Sequence, residues 1–229
     1  MSKTVLITGG AQRLGAEIVH CFARAGWKVW CHYQRSAIDA QALIQQICNN
    51  GGDAKMVSAD LAQFSEIEQM MHTIKLESGP VDAVVNNASM FEPDAGTSFT
   101  PQMAQAQLNV NLLAPMYIGQ LVANQHAAKR DSAEADPCII HILDQKVFNL
   151  NPDYFSYTLS KLALERAVAL QAQALAPNIR VCAVAPGLMY RSGPQSVENF
   201  DLAGRVNLLE KVTAPENVAK ACLFLATKE

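Results

Sequence analysis

Tyr157 and Lys161 stand four residues apart, and Asp144 lies 13 residues upstream of the tyrosine. On a helix, side chains at i and i+4 project from one face, so the phenol and the ammonium would meet the same partner. A neighbouring ammonium favours the phenolate, which would make a group with a reference pKa of about 10 a usable acid near neutrality. Asp144 adds a carboxylate to the pair. Far upstream, Thr8-Gly9-Gly10-Ala11-Gln12-Arg13-Leu14-Gly15 reads as a glycine-rich turn between a strand and a helix. Such a turn lets the backbone approach a pyrophosphate, with the helix N-terminus supplying amide donors. Two adjacent glycines after a strand also mark a plain tight turn, and this segment alone does not separate the two readings.

The elements that must position these residues are legible in the hydrophobic pattern. Strands are expected over 4–8, 28–33, 54–58, 83–86, 138–143 and 180–185. Helices are expected over 13–25, 38–49, 66–77, 101–127 (divisible by a break), 154–176 and 214–226. Ser65 with Glu68, and Thr213 with Glu216, have capping-box spacing. Strand-helix alternation predicts a single-domain α/β fold, a doubly wound parallel sheet with helices on both faces. Ligands in such sheets bind beyond the carboxyl ends of the strands, where strand order reverses. The chemistry-bearing residues all fall just after a predicted strand or on the helix that follows one.

The bulk composition fits. With 229 residues, half of them hydrophobic and 17% charged, the chain can bury a sizeable core and is too apolar for disorder. A net charge of −3 argues against nucleic acid as a partner. Lys129-Arg130 is the one adjacent basic pair, within a loop over 129–137 rich in charge and alanine. The six cysteines show no C-x-x-C pairing, and Cys31, Cys138 and Cys182 sit in apolar runs. They read as buried thiols of a cytoplasmic protein, neither disulfides nor metal ligands. No apolar stretch reaches the roughly 18 residues of a membrane span, and the N-terminal apolar run has strand length.

A phosphate-binding turn combined with a tyrosine acid is equipment for hydride transfer. Asn86-Asn87-Ala88-Ser89, after the fourth strand, offers small polar residues to border a ribose and a nicotinamide. Asp60 either accepts from an adenine amino group or caps a turn. After the second strand the chain reads His32-Tyr33-Gln34-Arg35-Ser36, with no carboxylate before Asp39. NAD sites usually place an acidic residue there. Arg13 and Arg35, with a hydroxyl, suit a 2′-phosphate instead, so NADPH is the expected cofactor. The bland alternative makes both arginines solvated surface cations.

Taken together, the glycine turn, Asn86–Ser89, Asn111, Tyr157-x-x-x-Lys161 and Pro186-Gly187 resemble the short-chain dehydrogenase/reductase family over nearly the whole chain. The resemblance implies a Rossmann-type fold. It also implies that Tyr157 delivers the proton, that Lys161 tunes it and binds the nicotinamide ribose, and that Asn111 holds a proton-relay water. Arg13, in place of the family's second glycine, and Asp144, in place of its serine, resemble the pteridine reductase branch. So do His32-Tyr33-x-Arg35-Ser36, Asn87-Ala88-Ser89-x-Phe91 and Tyr154.

That branch implies a cofactor site of Gly9, Arg13, Leu14, Gly15, His32, Tyr33, Arg35, Ser36, Asp60, Leu61, Asn87, Ala88, Ser89, Tyr157, Lys161, Pro186 and Gly187. It implies a pterin site of Arg13, Ser89, Phe91, Asp144, Tyr154, Tyr157, Gly187 and Leu188, with Phe91 stacking on the pterin. A carboxylate would repel the alkoxide developing on a ketone, but it can accept from the N–H groups of a pterin or protonate a ring nitrogen as an acid. Asp144 is thus expected to be the acid or an anchoring acceptor, against a structural role capping the loop after the fifth strand. Met189, Tyr190 and Arg191 begin a variable segment expected to cover the substrate. Relatives usually continue into a further strand, so either the end is trimmed or the sheet has one strand fewer. A homo-tetramer or dimer through two long helices is implied as well. The alternatives are a carbonyl or 3-oxoacyl-thioester reductase of the same family, and a non-catalytic NADP(H)-sensing protein.

Overall fold

The computed structural model describes residues 2–127, 136–191 and 195–227. Six strands form one sheet: β1 (Thr4–Ile7), β2 (Lys28–Tyr33), β3 (Asp53–Ser58), β4 (Ala83–Asn86), β5 (Cys138–Ile142) and β6 (Arg180–Val184). All five pairings are parallel and the order is β3-β2-β1-β4-β5-β6. Strand order therefore reverses between β1 and β4, and the crevice beyond their carboxyl ends is where a ligand is expected.

Side-chain alternation along each strand divides the core in two. Val5 and Ile7 point to one face with Val29, Cys31, Val85 and Ile140. There they meet α1 (Arg13–Arg24), α2 (Ala37–Asn49) and α8 (Pro215–Ala226) through Ile18, Phe22, Leu43 and Cys222. Leu6, Trp30, Val84 and Ile139 point to the other face. These pack against α3 (Phe64–Ser78), α5 (Ala114–His126) and α6 (Phe155–Leu175) through Ile67, Met70, Ile118 and Val168.

The expected long helix over 101–127 is divided. It runs as α4 (Pro101–Leu108), a π-helical turn over Asn109–Leu113, and α5. Ala114 N–H closes on the Asn109 carbonyl, five residues back. Pro115 supplies the cause, because it has no N–H to give to the carbonyl of residue 111 and a proline ring crowds the preceding turn.

Three expectations are corrected. Neither Ser65 nor Thr213 caps a helix. α3 starts at Phe64, with the Glu66 carboxylate taking the Asp60 N–H at 2.7 Å, while Glu68 is engaged by the Tyr117 hydroxyl. α8 starts at Pro215 after Ala214. The variable segment carries an unexpected helix, α7 (Val197–Gly204), whose first turn is capped by the Ser196 hydroxyl accepting from Asn199 N–H.

Most of the loop expected over 129–137 lies outside the described residues. All six cysteines are free, and Cys182 is only half-buried where a buried thiol was expected. Burial pushes Cys31, Cys138 and Cys222 up to about 12, so these thiols stay protonated and unreactive. Among the described residues no helix is long and apolar enough to cross a membrane.

Candidate active site

The glycine turn follows β1 and opens α1. Gly9 has φ +60°, and a Cβ there would stand 2.9 Å from Ala88 Cα; a Cβ on Gly15 would stand 2.0 Å from the Gly9 carbonyl oxygen. Both positions are closed to any side chain by backbone, which explains the glycines. Between them Arg13 also adopts the left-handed region, φ 51°, where the family's glycine would be more comfortable. α1 begins without a side-chain cap and without an acidic residue in its first turn. Its first amides are therefore available to an anion, and the residues present fit a dinucleotide pyrophosphate.

Small polar groups weld the turn to β4. Thr8 Oγ1 accepts from the N–H groups of Asn87 and Ala88, each at 3.0 Å. Asn87 Nδ2 donates to the carbonyls of Thr8 and Gly9 at the same distance. His32 braces the turn from β2: Gly9 N–H donates to its Nδ1 at 3.1 Å, and its Nε2–H donates to the Ala59 carbonyl at 3.0 Å. Only 2% of His32 is exposed, so in this structure its work is on the turn. Burial holds its imidazole below the ordinary range, in the neutral form that this arrangement needs.

The other residues expected at the cofactor are placed as follows. Leu14 and Leu61 are buried in the two cores and offer the site chiefly main chain, while Tyr33 is half-buried against the first core. Asp60 Oδ1 accepts from Ala62 N–H at 3.0 Å, forming a turn cap. Arg35 is exposed after β2 and Ser36 half-buried. The Arg13 guanidinium lies 4.9 Å from the Tyr190 ring centroid and 3.4 Å from the Arg191 carbonyl, tying the turn to the segment after β6. Asp39, the first carboxylate after β2, accepts from Gln12 Nε2 at 2.7 Å. Pro186 is buried and its carbonyl accepts from Gln145 N–H, and the Leu188 carbonyl accepts from Thr213 N–H. Gly187 faces the same Thr213 side chain.

At the other end of the crevice Asp144 follows β5, and α6 brings Tyr157 and Lys161 against it. The Tyr157 hydroxyl donates to Asp144 Oδ2 at 2.8 Å, and Lys146 N–H donates to Asp144 Oδ1 at 2.9 Å. Asp144 is therefore both a loop cap and a partner of the phenol. Lys161, 2% exposed, donates to the Ile142 carbonyl at 2.7 Å and lies 5.8 Å from the centroid of the Tyr157 ring.

This geometry corrects the expected direction of the tyrosine's acidity. Burial, then the charge and hydrogen bond of Asp144, push the Tyr157 phenol well above its ordinary value. The carboxylate is the nearer charge and outweighs the ammonium, so Tyr157 is held as a phenol. Burial lowers Lys161 to about 8, with Asp144 opposing the shift.

Asn111, fully buried in the π-helical turn, has its side-chain amide consumed. Nδ2 donates to the Met90 carbonyl and to Ser160 Oγ, and Oδ1 accepts from Met90 N–H and the Ser89 hydroxyl. A relay water would therefore have to use the Asn111 main-chain carbonyl, whose α-helical donor is replaced by Pro115. Ser160, not singled out in the sequence, donates to the Tyr157 carbonyl at 2.6 Å and joins Asn111 to α6. Asp94 is a second omission. Its Oδ1 accepts from Ser156 N–H at 2.9 Å and its carbonyl accepts from Phe155 N–H, stapling the Phe91 loop to the start of α6. A carboxylate cap of this kind contributes about 1 kcal/mol. Neither residue carries a sequence signal, because both partners are distant in the chain.

Phe91 and Tyr154 complete the site. Their rings stack with centroids 4.0 Å apart and planes 9° from parallel, and Phe91 meets Tyr157 at 4.6 Å and 85°. Phe91 remains 40% exposed. A flat aromatic surface thus stands beside a phenol-carboxylate pair. Such a site can move a proton to or from a flat ligand laid against the cluster.

Known proteins resemble the chain in sequence and fold. A family model described as short chain dehydrogenase matches residues 3–199. Pteridine reductase 1 of Leishmania tarentolae is 29% identical over 267 residues, covering 99% of this chain and 90% of its own length. A 3-oxoacyl-[acyl-carrier-protein] reductase of Synechocystis sp. is 27% identical, covering 99% and 90%. The solved structure of FolM alternative dihydrofolate reductase 1 from Brucella canis, complexed with NADP, superposes with a TM-score of 0.90 at 33% identity, covering 98% of this chain and 87% of that one. The family model spans most of the chain and the sheet has the matching topology, so the chain belongs to the short-chain dehydrogenase family of oxidoreductases.

Proposed function

We propose that the protein reduces a pterin, a dihydropterin to its tetrahydro form, with NADPH as the reductant. The observation that carries this reading is the carboxylate of Asp144 at 2.8 Å from the Tyr157 hydroxyl, beside the exposed ring of Phe91. A ketone reductase wants a neutral donor where its carbonyl oxygen gains charge, and a carboxylate there is repulsive. A pterin presents ring N–H and amino donors along one edge, which Asp144 can accept while Phe91 covers the ring face. The names of relatives, a pteridine reductase and an alternative dihydrofolate reductase, support the same substrate class.

NADPH, when bound, supplies the hydride. The first-turn amides of α1 would hold its pyrophosphate, and Arg13, Arg35 and Ser36 its 2′-phosphate. Tyr157, kept as a phenol by its surroundings, holds a proton at its hydroxyl oxygen for the ring nitrogen next to the reduced carbon. Asp144 orients that hydroxyl, and the charged Lys161 offsets the phenolate left behind. Ser89, Gly187 and Leu188 would border the ring. The apolar groove between α6 and the π-helical turn with α5, lined by Leu113, Met116 and Leu170, supports association of copies of the chain.

Similarity to a 3-oxoacyl reductase favours the competing reading, reduction of a carbonyl or oxoacyl thioester. An NADPH-oxidation assay run in parallel on dihydrobiopterin, dihydromonapterin, dihydrofolate and an acetoacetyl thioester separates the two. Turnover confined to the pterins and folate supports the proposal. Turnover of the thioester alone overturns it.

A further inference from the structure

Lys146 is a charged side chain with no part in the chemistry above, yet only 8% of the residue is exposed. Burying an ammonium is costly unless its donors are met. Here they are: Nζ reaches Asp153 Oδ1 at 2.5 Å, the Asp153 carbonyl at 3.4 Å and the Asn151 side chain, and it lies 5.7 Å from the Tyr154 ring centroid. These contacts gather the turn leading into α6. Its last residue, Tyr154, sits at φ 52° and ψ 52°, in the left-handed region. That conformation is unfavourable for a side chain as large as tyrosine and persists only where surrounding contacts impose it. The main chain is held on the α6 side by Asp94 and by the Thr158 N–H, and the side chain by the ammonium and the stacked ring of Phe91.

We propose that Lys146 is a positioning residue for the flat substrate ring: by gathering the 151–154 turn around its ammonium, it fixes Tyr154 and thereby the tilt of Phe91. The role rests on the pterin reading given above, since a flat ring is what such a surface would receive. Asp153 is largely exposed, with 61% of its side chain accessible, so a lysine needed only to close this turn could have met it in solvent. The inward course of Lys146 under Tyr154 is what links the turn to the stack. Because the bond to Asp144 Oδ1 comes from the Lys146 main chain, a side-chain substitution alters the stack and leaves that bond in place.

The test compares Lys146→Met with Lys146→Arg and the native protein. For Lys146→Met the KM for dihydrobiopterin should rise about tenfold, the size expected for a desolvated cation-ring contact and its dependent stacking, with kcat and NADPH affinity nearly unchanged. A KM effect of that kind marks lost binding common to ground and transition states. Lys146→Arg should recover most of it. Independently of any substrate, the ring-current shift of Phe91 in 13C-phenylalanine-labelled protein, assigned with Phe91→Leu, should move toward its unstacked value in Lys146→Met. An unchanged Phe91 shift, or equal losses of pterin and NADPH binding with lowered stability, overturns the role. If the native protein turns over no pterin, the substrate assignment fails, while the Phe91 shift still decides whether Lys146 holds the stack.

Discussion

The two ends of the crevice are built from different materials. At the dinucleotide end, backbone meets backbone: Gly9 against Ala88, Gly15 against the Gly9 carbonyl, with Thr8, His32 and Asn87 bridging main-chain groups. At the substrate end, side chains meet side chains: Asp144 with Tyr157, Phe91 with Tyr154, Lys146 with Asp153. The first kind of site tolerates almost no added atom, but it does not depend on titration beyond a neutral histidine. The second can change its contents by substitution, and its chemistry depends on which groups carry protons. One family can therefore keep a constant cofactor grip and vary what it reduces.

Substitutions should expose that contrast, beginning with the largest effect. Tyr157→Phe removes the proton donor and should lower kcat by about 10²–10⁴-fold, while NADPH titration by fluorescence gives an unchanged affinity. Gly15→Ala is the mirror image. A Cβ 2.0 Å from the Gly9 carbonyl must displace backbone, and NADPH affinity should fall by about 100-fold or more, near 3 kcal/mol. Substrate-end stacking, read from the Phe91 ring signals, should stay as it is.

Two titrations separate the ends further. Lys161, lowered to about 8, loses its charge as pH rises through that value. Tyr157, raised, remains a phenol there. The alkaline limb of kcat should therefore fall above pH 8, by about tenfold for each further unit; a limb first setting in near the ordinary tyrosine value of about 10 would contradict both shifts. The smallest effect concerns His141, buried in β5 between Asn86 and Gln171 and lowered to about 4. The unfolded chain takes up that proton near pH 6.5, the fold only near 4. Stability is thus present above 6.5 and is lost as pH falls between the two, at up to about 1.4 kcal/mol per unit. Urea unfolding across that range measures it, and titration of the His141 imidazole near 6.5 in the folded protein, followed by NMR, would contradict it.

The cofactor end was the more legible in sequence, for a physical reason. Backbone contact demands glycine, and glycine is visible: Gly9 and Gly15 announce the turn, and strand periodicity announces the sheet behind it. Tyr157, Lys161 and Asp144 also stood out, by residue type and spacing, and the fold brings the three together. What the sequence misjudged was the balance of charges, because only the fold shows that Asp144 is nearer the phenol than Lys161 is. Asp94 and Ser160 were silent, since each works through a partner brought in by tertiary structure, and Lys146 was silent because its partners at 151–154 lie in an irregular turn that carries no spacing rule. α7 was missed because eight residues amid a variable segment carry too few turns for a clear period.

The central claim is that the carboxylate of Asp144 selects the substrate, and Asp144→Ser tests it most directly. With NADPH oxidation followed on dihydrobiopterin and on a simple ketone side by side, turnover of the pterin should fall by about 100-fold and ketone reduction should appear. Pterin turnover that survives the substitution, with no gain on the ketone, would contradict the account.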